Sequence, residues 1–297
     1  MNKLVIIGNG FDLAHGLDTK YSDFFEKLIV PKYRDHFDKI CKFLPKKEMF
    51  HSLETALAKF NDEKFYEERE LEVLQNDLSE MEVVKNNFDK ELESSLSFAE
   101  HMPIYLREWI REINTEVDAV LPKESFDKNS VYLSFNYTDT LEKCYDISPK
   151  QILYIHGKAK RSDDLILGHH EIEKITKNSL PAVDNKSKEI IPYNKYKNST
   201  ISTAQNIINS YYEKTYKDSL TIIKNNEKFF TSLSDIKEVS IYGHSLSKTD
   251  YDYFYEIKNS VSANCNWNIS FHDKKDLSRA EDFIIDLDLP SYNLFKF

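Results

Sequence analysis

Three polar segments carry the side chains best suited to chemistry: "SFNYTDT" at 134–140, "YIHGK" at 154–158 and "YGHSLSKTDYDYF" at 242–254. Asn136 offers both a donor and an acceptor, Asp139 a carboxylate, and His156 an imidazole that exchanges a proton near neutral pH. Such a set suits hydrolysis, in which one group holds a water or a hydroxyl and another takes its proton. No G-x-S-x-G stands in the chain, and Cys144 has no flanking histidine, so direct displacement by water fits better than a covalent enzyme intermediate. His169 and His170 raise the question of a metal, but adjacent histidines at a strand end point different ways and no third ligand stands at useful spacing. No metal is expected.

Glycine usage adds a second signal. The chain has only six glycines, where roughly twenty would be expected at the usual ~7%. Three of them fall in "GNGFDLAHG" at 8–16, and the others are Gly157, Gly168 and Gly243. Most follow short apolar runs, so glycine marks places where backbone must approach something closely, and a phosphate at a helix N-terminus is the natural candidate. The alternative is that glycine merely turns the chain. The pattern is not the full dinucleotide fingerprint, whose third glycine would fall at Leu13.

Each side chain also has a plainer reading. Asn136 serves equally well as a cap for a helix beginning near Thr138, and Asp12 and Asp250 suit the same role. His156 can be satisfied by backbone at a strand end. His244 and Ser245 can bind ribose or phosphate, or open a helix capped by Ser247.

The elements that must position these residues follow from periodicity. Apolar runs at 3–7, 131–135, 152–156, 165–167, 238–242 and 267–272 predict six short strands. Helical spacing between them predicts an α/β, Rossmann-like parallel sheet with helices on both faces, whose ligand lies at the carboxyl ends of the strands. Residues 1–19, 126–170 and 236–297 would form this core. Residues 20–125 and 171–235 would be large, mainly helical insertions, the second opening with a loop around Pro181 and Pro192.

Composition sets outer limits. The formal charge of −10 disfavours a nucleic-acid partner, and residues 61–100, with 13 Asp or Glu against 4 Lys or Arg, carry −9 of it. No apolar run approaches the ~18 residues of a membrane helix, which predicts no membrane partner and a cytoplasmic protein. Cys41, Cys144 and Cys265 are odd in number and far apart, which predicts thiols rather than disulfides.

The motifs "GNGFDLAHGLDTKYSDF", "FNYTDTLE", "YIHGK", "LILGHH" and "YGHSLSKTDYDYF" resemble those of the AbiH family of bacterial phage abortive-infection proteins across nearly the whole chain. That family in turn resembles sirtuin-like NAD-binding domains of antiphage systems, in the order Gly-rich turn, Asn-x-x-Asp, His-Gly, Gly-x-Ser-Leu. The resemblance implies an antiphage effector that binds NAD and hydrolyses it to nicotinamide and ADP-ribose. It makes Asn136 and His156, with Asp139, the catalytic candidates. Gly8, Asn9, Gly10, Gly243 and Ser245 become cofactor contacts, with Phe11, Asp12, Tyr137, Gly157, Gly168, His244 and Asp250 completing the candidate binding set. A four-Cys zinc module and a longer Gly-Ala-Gly loop are missing, which argues against protein deacylation, and Asp139 stands one residue later than the sirtuin spacing. The competing expectation is a catalytically silent nucleotide-binding sensor or assembly module. Expected partners are a nucleotide ligand, a phage-derived or protein trigger and a second copy of the chain.

Overall fold

The computed structural model describes residues 2–64, 67, 81–127, 129–171 and 205–297. Its sheet has six strands: β1 Lys3–Ile7, β2 Val131–Ser134, β3 Ile152–Tyr154, β4 Glu238–Tyr242, β5 Asn266–Phe271 and β6 Tyr292–Lys296. All five pairings are parallel and the spatial order is β3-β2-β1-β4-β5-β6. The chain starts in the middle, builds outward through β2 and β3, then returns across β1 to build the other half. This is the Rossmann-like arrangement, and its switch point lies where the connections diverge beyond the ends of β1 and β4.

Burial explains why these runs are strands. In β1, Leu4 and Ile6 join one core with Leu133, Val239, Ile241, Trp267 and Ile269, while Val5 and Ile7 join another with Tyr132, Phe126 and Leu141. Alternate residues therefore fill opposite faces, and a strand buried on both must be apolar throughout. Helices cover the faces: α1 Asn9–Ala14, α2 Thr140–Tyr145, α3 Ser219–Asn225, α4 Glu227–Thr231, α5 Tyr251–Ser260 and α6 Lys274–Leu287. In α6 the Asp273 carboxylate caps the start by accepting from Lys275 and Asp276 N–H groups, and Ala280, Phe283, Ile284 and Leu287 recur on the buried side.

Five predicted strands stand where the apolar runs placed them; the sixth does not. Residues 165–167 form no strand, and the sixth is β6 on the far edge. Tyr292 and Asn293 are exposed and the rest of β6 is at most half-buried, apart from an exposed Lys296, so it lacks the apolar run that marks a central strand.

The chain divides into two compact units, one comprising residues 1–24, 103–166 and 218–297 and the other 25–102 and 167–217. The sheet belongs to the first. The second contains the helices Val30–Ile40, Lys46–Met49 and Leu53–Leu57 and a helical stretch at 205–214. Its aromatic residues pack together, Phe60 against Tyr211 at 5.2 Å and Phe25 against Phe37 at 5.3 Å, and the Tyr211 hydroxyl donates to the Leu57 carbonyl. The expected loop at Pro181 and Pro192 lies outside the described residues, as does much of the acidic stretch, at 65–66 and 68–80. Among the described residues no helix is long and apolar enough to cross a membrane, and the three cysteines are free.

Candidate functional site

The glycines are explained by what they touch. A Cβ on Gly8 would lie 2.6 Å from the His244 Cα, one on Gly10 2.8 Å from the Gly243 Cα, and one on Gly243 2.2 Å from the Phe11 nitrogen. The turns after β1 and β4 pack backbone against backbone, and the Gly10 N–H donates to the Gly243 carbonyl at 2.7 Å. Sequence reasoning correctly inferred a close approach; what approaches is the neighbouring turn, so crowding here does not itself argue for a phosphate. Gly157 meets the Asp164 carbonyl in the same way. Gly168 belongs to the other unit, follows no strand, and lies against Thr215, whose carbonyl accepts from the His169 N–H.

Asn136 is buried and its Nδ2 donates to the Gly8 carbonyl at 3.0 Å. The same amide helps hold the Asp12 carboxylate. Two acceptors thus fix the orientation of the amide and leave Oδ1 as a buried acceptor with no hydrogen-bond partner. Phe135 and Tyr137 instead turn toward His156, with ring centroids 5.3 and 6.4 Å away. His156 is buried, and its Nε2 lies 4.0 Å from Asp250 Oδ1; His244 Nε2 lies 3.6 Å from Asp250 Oδ2. Phe135 and Tyr137, the chain neighbours of Asn136, thus lie against His156, which faces Asp250, as does His244.

Asp12 and Asp139 have acquired partners that spacing alone did not announce. Asp12 is buried and accepts from the Thr138 and Thr140 hydroxyls, each at 2.7 Å, which ties α1 to the loop after β2. Burial pushes its pKa up from 3.8 to about 6, against the pull of the threonines and Asn136 and with the help of the Asp139 charge. The folded chain therefore holds this proton more tightly than the unfolded chain does. Its contribution favours folding below about pH 4 and is lost as the pH rises through about 6. A shift of this size corresponds to ~3 kcal/mol. Asp12→Asn should remove that slope, so urea unfolding at pH 4.5 and 7 should show wild type losing about 2 kcal/mol relative to the variant between the two. Parallel pH curves for the two proteins would refute this account of Asp12.

Asp139 accepts from Thr115 at 2.6 Å and pairs with Lys160 at 3.0 Å. Burial raises its pKa, but the Thr115 hydroxyl and the Lys160 ammonium outweigh that and hold it below the usual range. It stands at the N-cap of α2 without making a cap hydrogen bond, and as a fixed anion it is a poor proton donor at neutral pH. Asn136 precedes the N-cap of α2 and does not occupy it.

The loop after His156 is held from below. Arg107 and Arg111, four residues apart on the helix Met81–Glu112, donate to the carbonyls of Ala159 and Arg161, and Arg107 also to that of Asp163. Lys158 is buried against Glu142 at 2.7 Å, and Tyr154 donates to the same carboxylate. Sequence reasoning passed over these cations: Arg107 and Arg111 stand more than 40 residues before "YIHGK", and nothing in their spacing ties them to that loop.

The remaining candidates divide. Phe11 is core, packed against Phe126, Tyr145 and Phe297. Asn9 is exposed and donates to the Thr19 carbonyl, the Tyr137 hydroxyl donates to the Ile166 carbonyl, and Ser245 is exposed. His169 has both ring nitrogens against backbone, Nε2 at the Tyr212 carbonyl and Nδ1 at the Glu171 N–H. Among the described residues no group of three His, Cys, Asp or Glu is arranged to hold a metal ion.

No curated protein and no solved structure matches the chain. A family model described as "Bacteriophage abortive infection AbiH" matches residues 4–271, from β1 through β5 and so over every turn that carries the site. The chain belongs to the AbiH family of bacteriophage abortive-infection proteins.

Proposed function

We propose that this AbiH protein acts in phage defence by binding NAD at the switch point and hydrolysing the bond between nicotinamide and ribose, giving nicotinamide and ADP-ribose. The observation that carries the reading is the Asn136 Oδ1, a buried acceptor left without a partner because the other end of its amide is committed to Gly8 and Asp12. Such an atom is unfavourable unless a water or a ligand donor meets it, and the donors of a ribosyl substrate are hydroxyls. Asn136 would accept from a ribose hydroxyl or from the attacking water, and His156 would take the proton released. The sirtuin-like order of motifs supports the same assignment. The Gly8–Gly10 turn is already packed against its neighbour, so the diphosphate would have to be met by groups at its rim such as Asn9, His244 and Ser245.

The test is nicotinamide release from NAD by purified protein, alone and with lysate from phage-infected cells as the source of a trigger. Release is the expected result. Binding without release in either condition would make the chain a silent sensor, and neither binding nor release would overturn the assignment.

A further inference from the structure

Asp250 occupies a helix start without serving it. It stands at the N-cap of α5 but makes no side-chain cap hydrogen bond, the preceding turn being capped instead by Ser247, which accepts from the Thr249 N–H. Its carboxylate is turned inward, 12% exposed, with one oxygen toward each of two histidines.

Those histidines are not equivalent. Leu246, held at φ 52, directs its N–H to His244 Nδ1 at 2.9 Å. That nitrogen is therefore an acceptor, and the ring proton of neutral His244 sits on Nε2, facing Asp250 Oδ2. The bond from Leu246 thus favours the tautomer whose ring N–H points toward the carboxylate and orients it. The other oxygen, Oδ1, faces His156 Nε2.

We propose that Asp250, oriented by His244, is the positioning carboxylate of His156: it faces the ring at Nε2 and stabilises the imidazolium that forms when His156 takes a proton. This rests on the reading of His156 as the proton acceptor. At 4.0 Å the coupling is electrostatic rather than a direct hydrogen bond, and burial strengthens it. The order carboxylate, imidazole, reacting hydroxyl is the one that makes histidine an effective base elsewhere. Among the described residues, the titratable groups near His156 include Asp250, Tyr253 with its ring at 5.7 Å, and Tyr137. Burial, with the Asp250 charge, holds the Tyr253 phenol above its ordinary range. Phe135 sets its ring edge against both imidazoles, at 5.3 and 4.4 Å. The nearby Lys158 ammonium is engaged by Glu142.

The experiment is a nitrogen-15 histidine NMR titration of the full chain, wild type against Asp250→Asn and Asp250→Glu, with NAD cleavage measured alongside. In Asp250→Asn the His156 midpoint should fall by about one unit. The kcat for nicotinamide release should fall about a hundredfold with KM little changed, and the acid limb of the pH profile should follow the NMR midpoint. Asp250→Glu, which keeps the charge, should restore most of the midpoint, and neutral His244 should carry its ring proton on Nε2. A His156 midpoint that ignores both substitutions would overturn the proposal, even if the wild type cleaves NAD. A midpoint that moves in a protein without cleavage would uphold the coupling and sink the NAD reading instead.

Discussion

Gly243→Ala should leave the protein largely unfolded. The residue sits at φ 60, and an added Cβ would come within 2.2 Å of the Phe11 nitrogen and 2.4 Å of the Gly10 carbonyl carbon, backbone atoms that cannot step aside. Relief would require the turns after β1 and β4 to separate, which breaks the Gly10 to Gly243 hydrogen bond and pulls α1 off the sheet. A loss of about 4 kcal/mol or more is expected, a large part of the 5–15 kcal/mol that holds a typical domain. Gly16→Ala is the control. It has φ 73 and nothing within 4 Å of an added Cβ, so only the backbone term of about 1–2 kcal/mol applies. Urea midpoints for the two variants measure the difference directly, and equal midpoints would mean that the contact between the turns is unimportant. It follows that loss of NAD binding in a Gly8 or Gly10 variant would report loss of fold before it reported on any phosphate.

Replacement of Asn136 or His156 by alanine should have the largest effect on activity. Losing the Oδ1 acceptor should lower nicotinamide release about 10²–10³-fold, as removal of one directed polar contact to a reacting group does. His156→Ala should lower it by about 10²–10⁴-fold, the usual weight of a general base. The two differ in stability. Asn136→Ala also leaves the Gly8 carbonyl and Asp12 short of a donor, which costs about 1–3 kcal/mol. Both variants should therefore be measured by circular dichroism before turnover, and both should fail to protect cells from phage. Wild-type protection by two folded variants would show that the site does not carry the defence.

The fold was legible where a strand is buried on both faces, because burial on both sides forces the continuous apolar runs of "LVII" or "VSIY". It failed at β6, where an edge strand with exposed Tyr292, Asn293 and Lys296 gives no run to read, and at 165–167, where an apolar triplet in a loop gives a false one. The site was legible as chemistry but not as pairing. Asp12 looked like a helix cap because the hydroxyls that hold it lie 126 and 128 residues later, and Asp250 looked like one because it does stand at a helix start. Local spacing reports which side chains are present; which of them face one another is set by strand order.

That strand order also governs how the protein is made. β1 precedes the other five strands of the sheet in the chain, yet its two partners begin at Val131 and Glu238. At about 5–20 residues per second, β1 waits roughly 10–50 s for β4 to leave the ribosome, with both its hydrogen-bonding edges open for the first part of that interval and one for the rest. The switch point between β1 and β4 therefore exists only after the β3-β2-β1 half of the sheet. A chain stalled or cut between residues 157 and 237 has Asn136 and His156 but neither His244 nor Asp250, so it lacks the carboxylate that faces His156 in the full chain.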